Sequence, residues 1–364
     1  MNKYKVVIVG GGAAGLMLAR ELGKKKCTTL LLERNKSLFD LSFNTLGSFI
    51  NLKAFDLSEN VVAQKLNQFV IAAKYFKNTI DTQAYILDKK KLHEEIAASI
   101  DLDYVTIKTN TKVTDFEENE NAGITSVIDK IGNRYSADIF VDASGNQGVF
   151  SKRFGFMEKN PIMATGVEYN VQYKGDPSKA YLLIGKDYQG GYGWIFPLKN
   201  KRAIIGFGSL DPAIIKKLKS RLNHILELKQ IKKLVTKDNE KVEGGSIPIT
   251  PVIDRFVSDN LICVGDSVSQ VNPIVGEGYK FIFESAYMAS NTIEKALQRN
   301  DIAVLSEYET LWRKRFLSNY KRSKGKQKII YGMSNNNLLI DLGILLSKLR
   351  SNEKNLKSLS GEYK

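Results

Sequence analysis

YKVVIVGGGAAGLMLARELGKKKCTTLLLERN, residues 4–35, is the stretch that decides the fold of this 364-residue chain. Residues 6–9 (VVIV) are a continuous apolar run, the pattern of a strand buried on both faces of a parallel sheet. The run stops at Gly10-Gly11-Gly12-Ala13-Ala14-Gly15, after which Leu16, Leu18, Ala19 and Leu22 follow a helical period. A second apolar strand, residues 28–32, ends on Glu33 and Arg34. Gly10 permits the tight turn, Gly12 lets backbone approach a pyrophosphate, and Gly15 lets helix and strand pack closely. The helix that opens at Ala13 and Ala14 offers free N–H groups and a positive dipole end to phosphate. Glu33 is placed to accept hydrogen bonds from a ribose. The stretch predicts a dinucleotide site.

A second corner lies some 250 residues on. Residues 260–265 (NLICVG) read as a buried strand ending on Asp266, followed by a loop with Pro273, Gly276 and Gly278 and then a helix over 279–299. Asp266 can take ribose or ribityl hydroxyls, and the two glycines let backbone N–H groups approach a flat ring. A third strand end, DASG at 142–145, delivers Asp142, Ser144 and Gly145 to the carboxyl edge of the sheet, where ligands bind in α/β folds. Two corners so far apart imply a long ligand, for which NAD alone would not need the second.

Between them the texture changes. Residues 36–62 have no clear period, and their small polar residues (Ser42, Asn44, Thr45, Gly47, Ser48) suit a loop pressed against a ligand. Short strands are expected at 75–80 and 83–87, a helix at 89–99, and strands at 104–108, 113–117, 124–128 and 139–141. Alternation at 165–173, 180–184, 193–197 and 203–208 predicts an antiparallel sheet. A lysine-rich amphipathic helix at 212–228 is expected to face the core. The predicted fold is α/β: a parallel-sheet Rossmann-type domain of residues 1–160 and 255–300, an inserted antiparallel substrate domain of 161–254, and a helical tail of 301–364. Within that tail, residues 338–349 are strongly apolar, giving either a closing helix or one lying in a membrane interface.

Composition narrows the class. The chain is 43% hydrophobic and 26% charged, ordinary for a globular protein, and no run approaches the roughly 18 apolar residues of a membrane span. With no signal peptide in the opening residues, a cytoplasmic protein is expected. Cys27 and Cys263 read as buried thiols, and the two histidines, His93 and His224, stand far apart, so no metal site is expected. The net charge of +15 comes without any nucleic-acid-binding signature, so no nucleic-acid partner is expected. Its densest cluster, Arg313 to Lys328, favours anionic partners such as phosphate-bearing substrates or an acidic membrane surface.

Taken together, Gly10/Gly12/Gly15/Glu33, DASG at 142–145 and GDSVSQVNPIVGEG at 265–278 resemble the hydroxybenzoate-hydroxylase-like flavoproteins. Within that superfamily, GYGWIFP at 191–197 resembles the YxWxFP motif of the geranylgeranyl reductases, which saturate isoprenoid double bonds with reduced FAD. The likeness covers roughly residues 3–300. It implies that Gly10, Gly12, Gly15 and Glu33 hold the ADP half of FAD. It further implies that Asp266 binds the ribityl and pyrophosphate region and that Pro273 to Gly278 line the isoalloxazine. Lys89 stands where the superfamily usually has an arginine, keeping the charge without the bidentate fork. Tyr192, Trp194 and Phe196, two residues apart on a strand, share one face and suit an elongated apolar pocket. One departure is the loop SFNTLGSFIN at 42–51, which lacks the cysteine many of these reductases carry near the flavin.

The resemblance implies hydride transfer from reduced FAD to a polyprenyl double bond, with Tyr192 and Tyr279 as candidate proton sources. No second glycine fingerprint marks a nicotinamide domain, so NAD(P)H would visit transiently or a small redox protein would deliver electrons. The rival readings are a flavin monooxygenase and a lycopene-cyclase-like flavoprotein.

Overall fold

The opening stretch folds as its pattern requires. Strand Tyr4–Val9 runs through the glycine turn into a helix, Ala13–Lys24, and the chain returns as strand Thr29–Leu32, parallel to the first. A computed structural model describes residues 4–119, 123–239, 241–250 and 253–363. Its first sheet has a parallel spine in the order Val105–Lys108, Thr29–Leu32, Tyr4–Val9, Arg134–Asp142, Leu261–Cys263. Parallel neighbours leave every loop that follows a strand at the same edge, so the ends of residues 9, 142 and 263 converge.

The longer helices are α1 (Ala13–Lys24), α2 (Lys89–Ala98), α3 (Leu218–Glu227), α4 (Tyr279–Arg299), α5 (Ser318–Gly332), α6 (Asn337–Lys348) and α7 (Asn352–Ser360). α1 and α4 pack together over the parallel sheet, where α4 buries Phe281, Phe283, Ala286, Ala289 and Ile293. A fully buried Phe or Ile contributes about 1.5–3 kcal/mol of transfer free energy. Trp312, Phe316 and Tyr320 recur on one helical face and stack edge-on around Phe281 and Phe256, which ties the start of the tail to this core.

Among the described residues the second sheet has nine strands, and they come from two stretches of the chain. Its order is Val235–Thr236, Met163–Tyr173, Arg202–Ser209, Gly191–Leu198, Lys179–Leu183, Val62–Ala72, Lys77–Asp88 and Thr45–Ser48, with Val242–Pro248 also pairing Met163–Tyr173. All pairs are antiparallel except Lys179–Leu183 with Val62–Ala72. The sheet is therefore drawn from residues 45–88 as well as 163–248, rather than from 161–254 alone. Strand Val62–Ala72 and strand Val242–Pro248 escape sequence reading because neither alternates cleanly. The two short strands expected at 75–80 and 83–87 are one strand, Lys77–Asp88, facing an irregularity between Leu66 and Gln68.

The amphipathic run at 212–228 breaks into Pro212–Ile215 and α3, and its apolar side (Ile214, Leu218, Leu222, Ile225) joins the core of the second sheet. Helix α6 is two-sided. Ile340 and Ile344 face inward, as does Asp341, whose Oδ1 accepts from the Tyr75 and Phe76 N–H groups at 3.0 Å each. Leu338, Leu342, Leu345, Leu346 and Leu349 face solvent. Among the described residues no helix is long and apolar enough to cross a membrane.

Candidate active site

The nucleotide corner is built by backbone. Gly10 has φ +109°, and a Cβ there would overlap the Ala143 carbonyl of the neighbouring strand end. At Gly15 a Cβ would overlap the Gly10 carbonyl oxygen, so the turn and the helix close only around glycine. Gly12 is different: it caps α1 with no side-chain hydrogen bond, and a Cβ there would meet nothing within 4 Å. Ala13 and Ala14 form the first turn of α1 behind that gap. Glu33 is nearly buried; its Oε2 accepts from Gly11 N–H at 2.7 Å and its Oε1 from Asn35 N–H at 2.8 Å. Each oxygen keeps a lone pair for a ribose hydroxyl. Glu33, Arg34 and Gly10 line a cleft of about 60 Å³ with Thr111, Ser144 and Val149.

Asp142 does something other than the cofactor contact expected of it. Its carboxylate is fully buried and takes Ser144 N–H (3.0 Å), Ser144 Oγ–H (2.5 Å), Phe150 N–H (2.9 Å) and Ser151 N–H (2.9 Å). Both oxygens are spent on folding the loop over 143–151, which leaves none for a ligand. Gly145 has φ +63° with open space where a Cβ would be, and Ser144 lines the cleft beside Glu33.

The second corner sits beside the first. Asp266 lies in a short turn, Gly265–Val268, and Ser267 Oγ donates to the Asp142 carbonyl at 2.8 Å, locking the two strand ends together. Burial raises the Asp266 carboxyl to about 6 against the opposing pull of Lys89. Lys89 opens α2, and among the described residues its ammonium makes no hydrogen bond or ion pair; it lies 5.8 Å from the Tyr279 ring. Burial holds Lys89 below the usual lysine value, while Glu168, Asp266 and Glu243 pull it back up. A cation held near three carboxyls and bonded to none is poised for an external anion. Glu277, in the loop Pro273 to Gly278, accepts from Ser48 Oγ–H (2.6 Å) and Phe49 N–H (2.9 Å). That bond draws the loop at 42–51 over the second corner, as its small residues suggest. The uncapped α1, open Gly12, unpaired Lys89 and half-satisfied Glu33 fit the central pyrophosphate and the ribose hydroxyls of FAD.

On the second sheet lies an apolar cavity of about 180 Å³. Strand Gly191–Leu198 alternates buried and half-buried residues, so Tyr192, Trp194 and Phe196 all point into it. Ring centroids are 5.8 Å apart for Tyr192–Trp194 and 6.4 Å for Trp194–Phe196. Register explains the space. Gly245, Gly166 and Gly208 lie side by side on three neighbouring strands in a row that ends at Tyr192. The next row runs Glu168, Gly206, Trp194. A Cβ at Gly206 would overlap the indole, and one at Gly166 would meet it at 2.9 Å. Absent side chains thus make the floor on which Trp194 lies. Phe43 and the edge-strand residues Thr45 and Gly47 close one wall and Val275 and Gly276 another.

Glu168 is the residue that sequence reading missed. Gly206, lacking a side chain, lets the Glu168 carboxyl reach across one strand, where Oε2 accepts from Trp194 Nε1–H at 3.1 Å. Its Oε1 is buried without a hydrogen-bond partner and the residue lines the cavity. Burial raises this carboxyl to about 8, against Trp194 and Lys89, so it holds its proton at neutral pH. The two tyrosines expected to supply a proton are engaged elsewhere. The Tyr279 hydroxyl is 2.8 Å from His93 Nε2 and lines neither apolar cavity. The Tyr192 hydroxyl donates to the Val275 carbonyl, and burial raises both phenols further.

Behind Tyr192, Val275 and Tyr331, which line both spaces, lies a second apolar cavity of about 290 Å³. Ile71, Ile80 and Leu182 of the sheet form one side and Ile340 and Ile344 of α6 the other.

Comparison with known proteins agrees with this geometry. The family model described as lycopene cyclase protein matches residues 5–342. Digeranylgeranylglycerophospholipid reductase 2 of Methanothermobacter thermautotrophicus is 27% identical over 98% of this chain and 94% of its own length. A geranylgeranyl bacteriochlorophyll reductase-like protein of Thermoplasma acidophilum superposes with a TM-score of 0.86 at 21% identity, covering 100% of this chain and 97% of that one. HpxO of Klebsiella pneumoniae, solved with FAD, shares the fold at a TM-score of 0.76 and 16% identity, over 99% and 98% of the two chains. The chain belongs to the lycopene cyclase protein family and is a geranylgeranyl reductase-like, FAD-dependent oxidoreductase.

Proposed function

We propose that the protein saturates carbon–carbon double bonds of a polyprenyl lipid, with NAD(P)H or a small redox protein as the source of two electrons per bond. The observation that carries this reading is the aromatic cavity over the glycine rows together with a second apolar cavity directly behind Tyr192, Val275 and Tyr331. A long unsaturated hydrocarbon matches that shape better than a compact polar substrate. The curated relatives named for digeranylgeranylglycerophospholipid reduction support it.

When bound and reduced, FAD supplies the hydride. The chain's own groups handle the rest. Lys89 and the α1 N-terminus neutralise phosphate, while Glu33 and Asp266 orient hydroxyls. Tyr192, Trp194 and Phe196 hold the alkene and keep water out. Glu168 gives its proton to the alkene carbon that does not receive hydride; Trp194 Nε1–H and Lys89 then face the carboxylate left behind, which water reprotonates. A positioned acid of this kind contributes about 10²–10⁴-fold. Peripheral association with an acidic membrane fits the net charge of +15 and the solvent-facing leucines of α6.

Anaerobic incubation with a reductant and a geranylgeranyl lipid should give product heavier by two hydrogens per bond. Bound FAD with no mass gain across several prenyl lipids would sink the reading. The lycopene cyclase family match favours one other reaction, acid-initiated cyclisation, for which a neutral Glu168 would also serve. Cyclisation leaves the product mass unchanged, so the same experiment separates the two. Oxygen-dependent hydroxylation would instead add the mass of an oxygen atom, and only when the incubation is repeated in air.

A further inference from the structure

The second apolar cavity has a charged rim, and the charges are all of one sign. Lys326 of α5 and Arg350, just after α6, line it together with Asn355 and Ser358 of α7. Ser358 Oγ–H donates to the Lys354 carbonyl at 2.9 Å, and its oxygen is the shared acceptor for Lys326 Nζ (2.7 Å) and Arg350 Nη2 (3.2 Å). Lys326 also lies 4.3 Å from the Tyr363 ring, with Arg322 on the same ring at 6.0 Å. Among the described residues none of Lys326, Arg350 and Arg322 forms an ion pair, whereas Arg315, in the segment just before α5, is bonded to both Glu284 and Glu362. Like charges so placed repel one another unless an anion joins them.

We propose that this rim binds the phosphate of a prenyl lipid whose hydrocarbon fills the second cavity and reaches past Tyr192 to the aromatic one. The proposal rests on the polyprenyl reading above. A phosphate at Ser358 would take the ammonium and guanidinium donors that the hydroxyl now shares, each in a charge-assisted bond. The cavity continues directly from the rim into an apolar interior, so the anion and the hydrocarbon belong to one molecule. A flat acidic surface would need no such interior. Burial and the two neighbouring guanidinium groups hold Lys326 down at about 8, so an arriving phosphate also relieves an unfavourable charge.

The test compares geranylgeranyl phosphate with geranylgeraniol, which differ only in the anionic end. Wild-type enzyme should prefer the phosphate in kcat/KM by at least about tenfold, the scale of one charge-assisted contact. The Lys326→Gln/Arg350→Gln double variant should lose that preference, and Lys326→Arg should keep it. Arg350 is exposed and Lys326 partly so, and circular dichroism with the bound-flavin spectrum checks that the variants fold. An unchanged preference in the double variant would overturn the proposal. So would inorganic phosphate competing as strongly as the lipid, because the anion alone would then suffice. Should neither compound be reduced by wild type, the reductase reading fails; equilibrium binding of the same two compounds, followed by tryptophan fluorescence, still reads the rim separately.

Discussion

The nucleotide corner and the aromatic cavity use glycine for opposite ends. Around Gly10 and Gly15 the missing Cβ atoms let backbone touch backbone, and the site is a surface of N–H groups. Around Gly166, Gly206, Gly208 and Gly245 the missing side chains leave room, and long side chains from neighbouring rungs occupy it. The first arrangement is local in sequence and recognises the parts common to any dinucleotide. The second is assembled by sheet register, from strands far apart in sequence. Even the acids divide in this way, since Asp142 is consumed by its own loop while Glu168 keeps one oxygen free in the cavity.

The sharpest way to break the comparison is at Glu168. Glu168→Gln keeps the bond to Trp194 but has no proton to give, and turnover should fall about 10²–10⁴-fold with the flavin spectrum intact. Because the wild-type acid works only while protonated, its rate should decline as pH rises through about 8, and the variant should lack that decline. An undiminished rate in the variant would return the proton to another group.

Next in size, Gly10→Ala forces a Cβ onto the Ala143 carbonyl at a φ that only glycine takes readily, and should cost about 2–5 kcal/mol in denaturant unfolding. Gly12→Ala is its counterpart. Nothing stands within 4 Å and the backbone there is extended, so stability should match wild type while FAD affinity drops about tenfold or more, read by flavin fluorescence titration. Equal stability losses in the two variants would erase the distinction drawn between them.

The smallest effect is on thermal stability. Glu168 stays protonated in the fold up to about 8 but ionises near 4.5 once unfolded. Its contribution is therefore full at low pH and is lost as pH rises through that range. His93 works in the opposite sense: burial holds it neutral to about 3, so its contribution fades as pH falls below 6.5. Between pH 6.5 and 8 only the Glu168 slope remains of these two. The melting temperature of cofactor-free protein should drift down by a few degrees there, and Glu168→Gln should flatten the drift in differential scanning fluorimetry.

Much of this was legible beforehand for a physical reason. The Gly10 to Glu33 unit, a short strand just before the Asp266 turn, the helix over 279–299 and the one-sided placement of Tyr192, Trp194 and Phe196 all follow from spacings within a few dozen residues. Strand Val62–Ala72 was not legible, because its pattern is spoiled by bulged pairing with Lys77–Asp88. Nor was Glu168, an acid in an otherwise ordinary strand. Its environment depends on Trp194, 26 residues away, and on Gly206 standing between them.

By itself, then, the sequence determined the dinucleotide-binding core and the aromatic face, since backbone turns, helix ends and strand alternation are set by neighbours along the chain. The tertiary structure alone decided that residues 45–88 complete the second sheet, and that Asp142 serves its loop. It also decided that Glu168 faces the cavity with a retained proton, and that Lys326 and Arg350 meet at one hydroxyl. Each of those depends on burial and on contacts between distant segments, and a carboxyl or an ammonium acquires its chemistry only from what surrounds it.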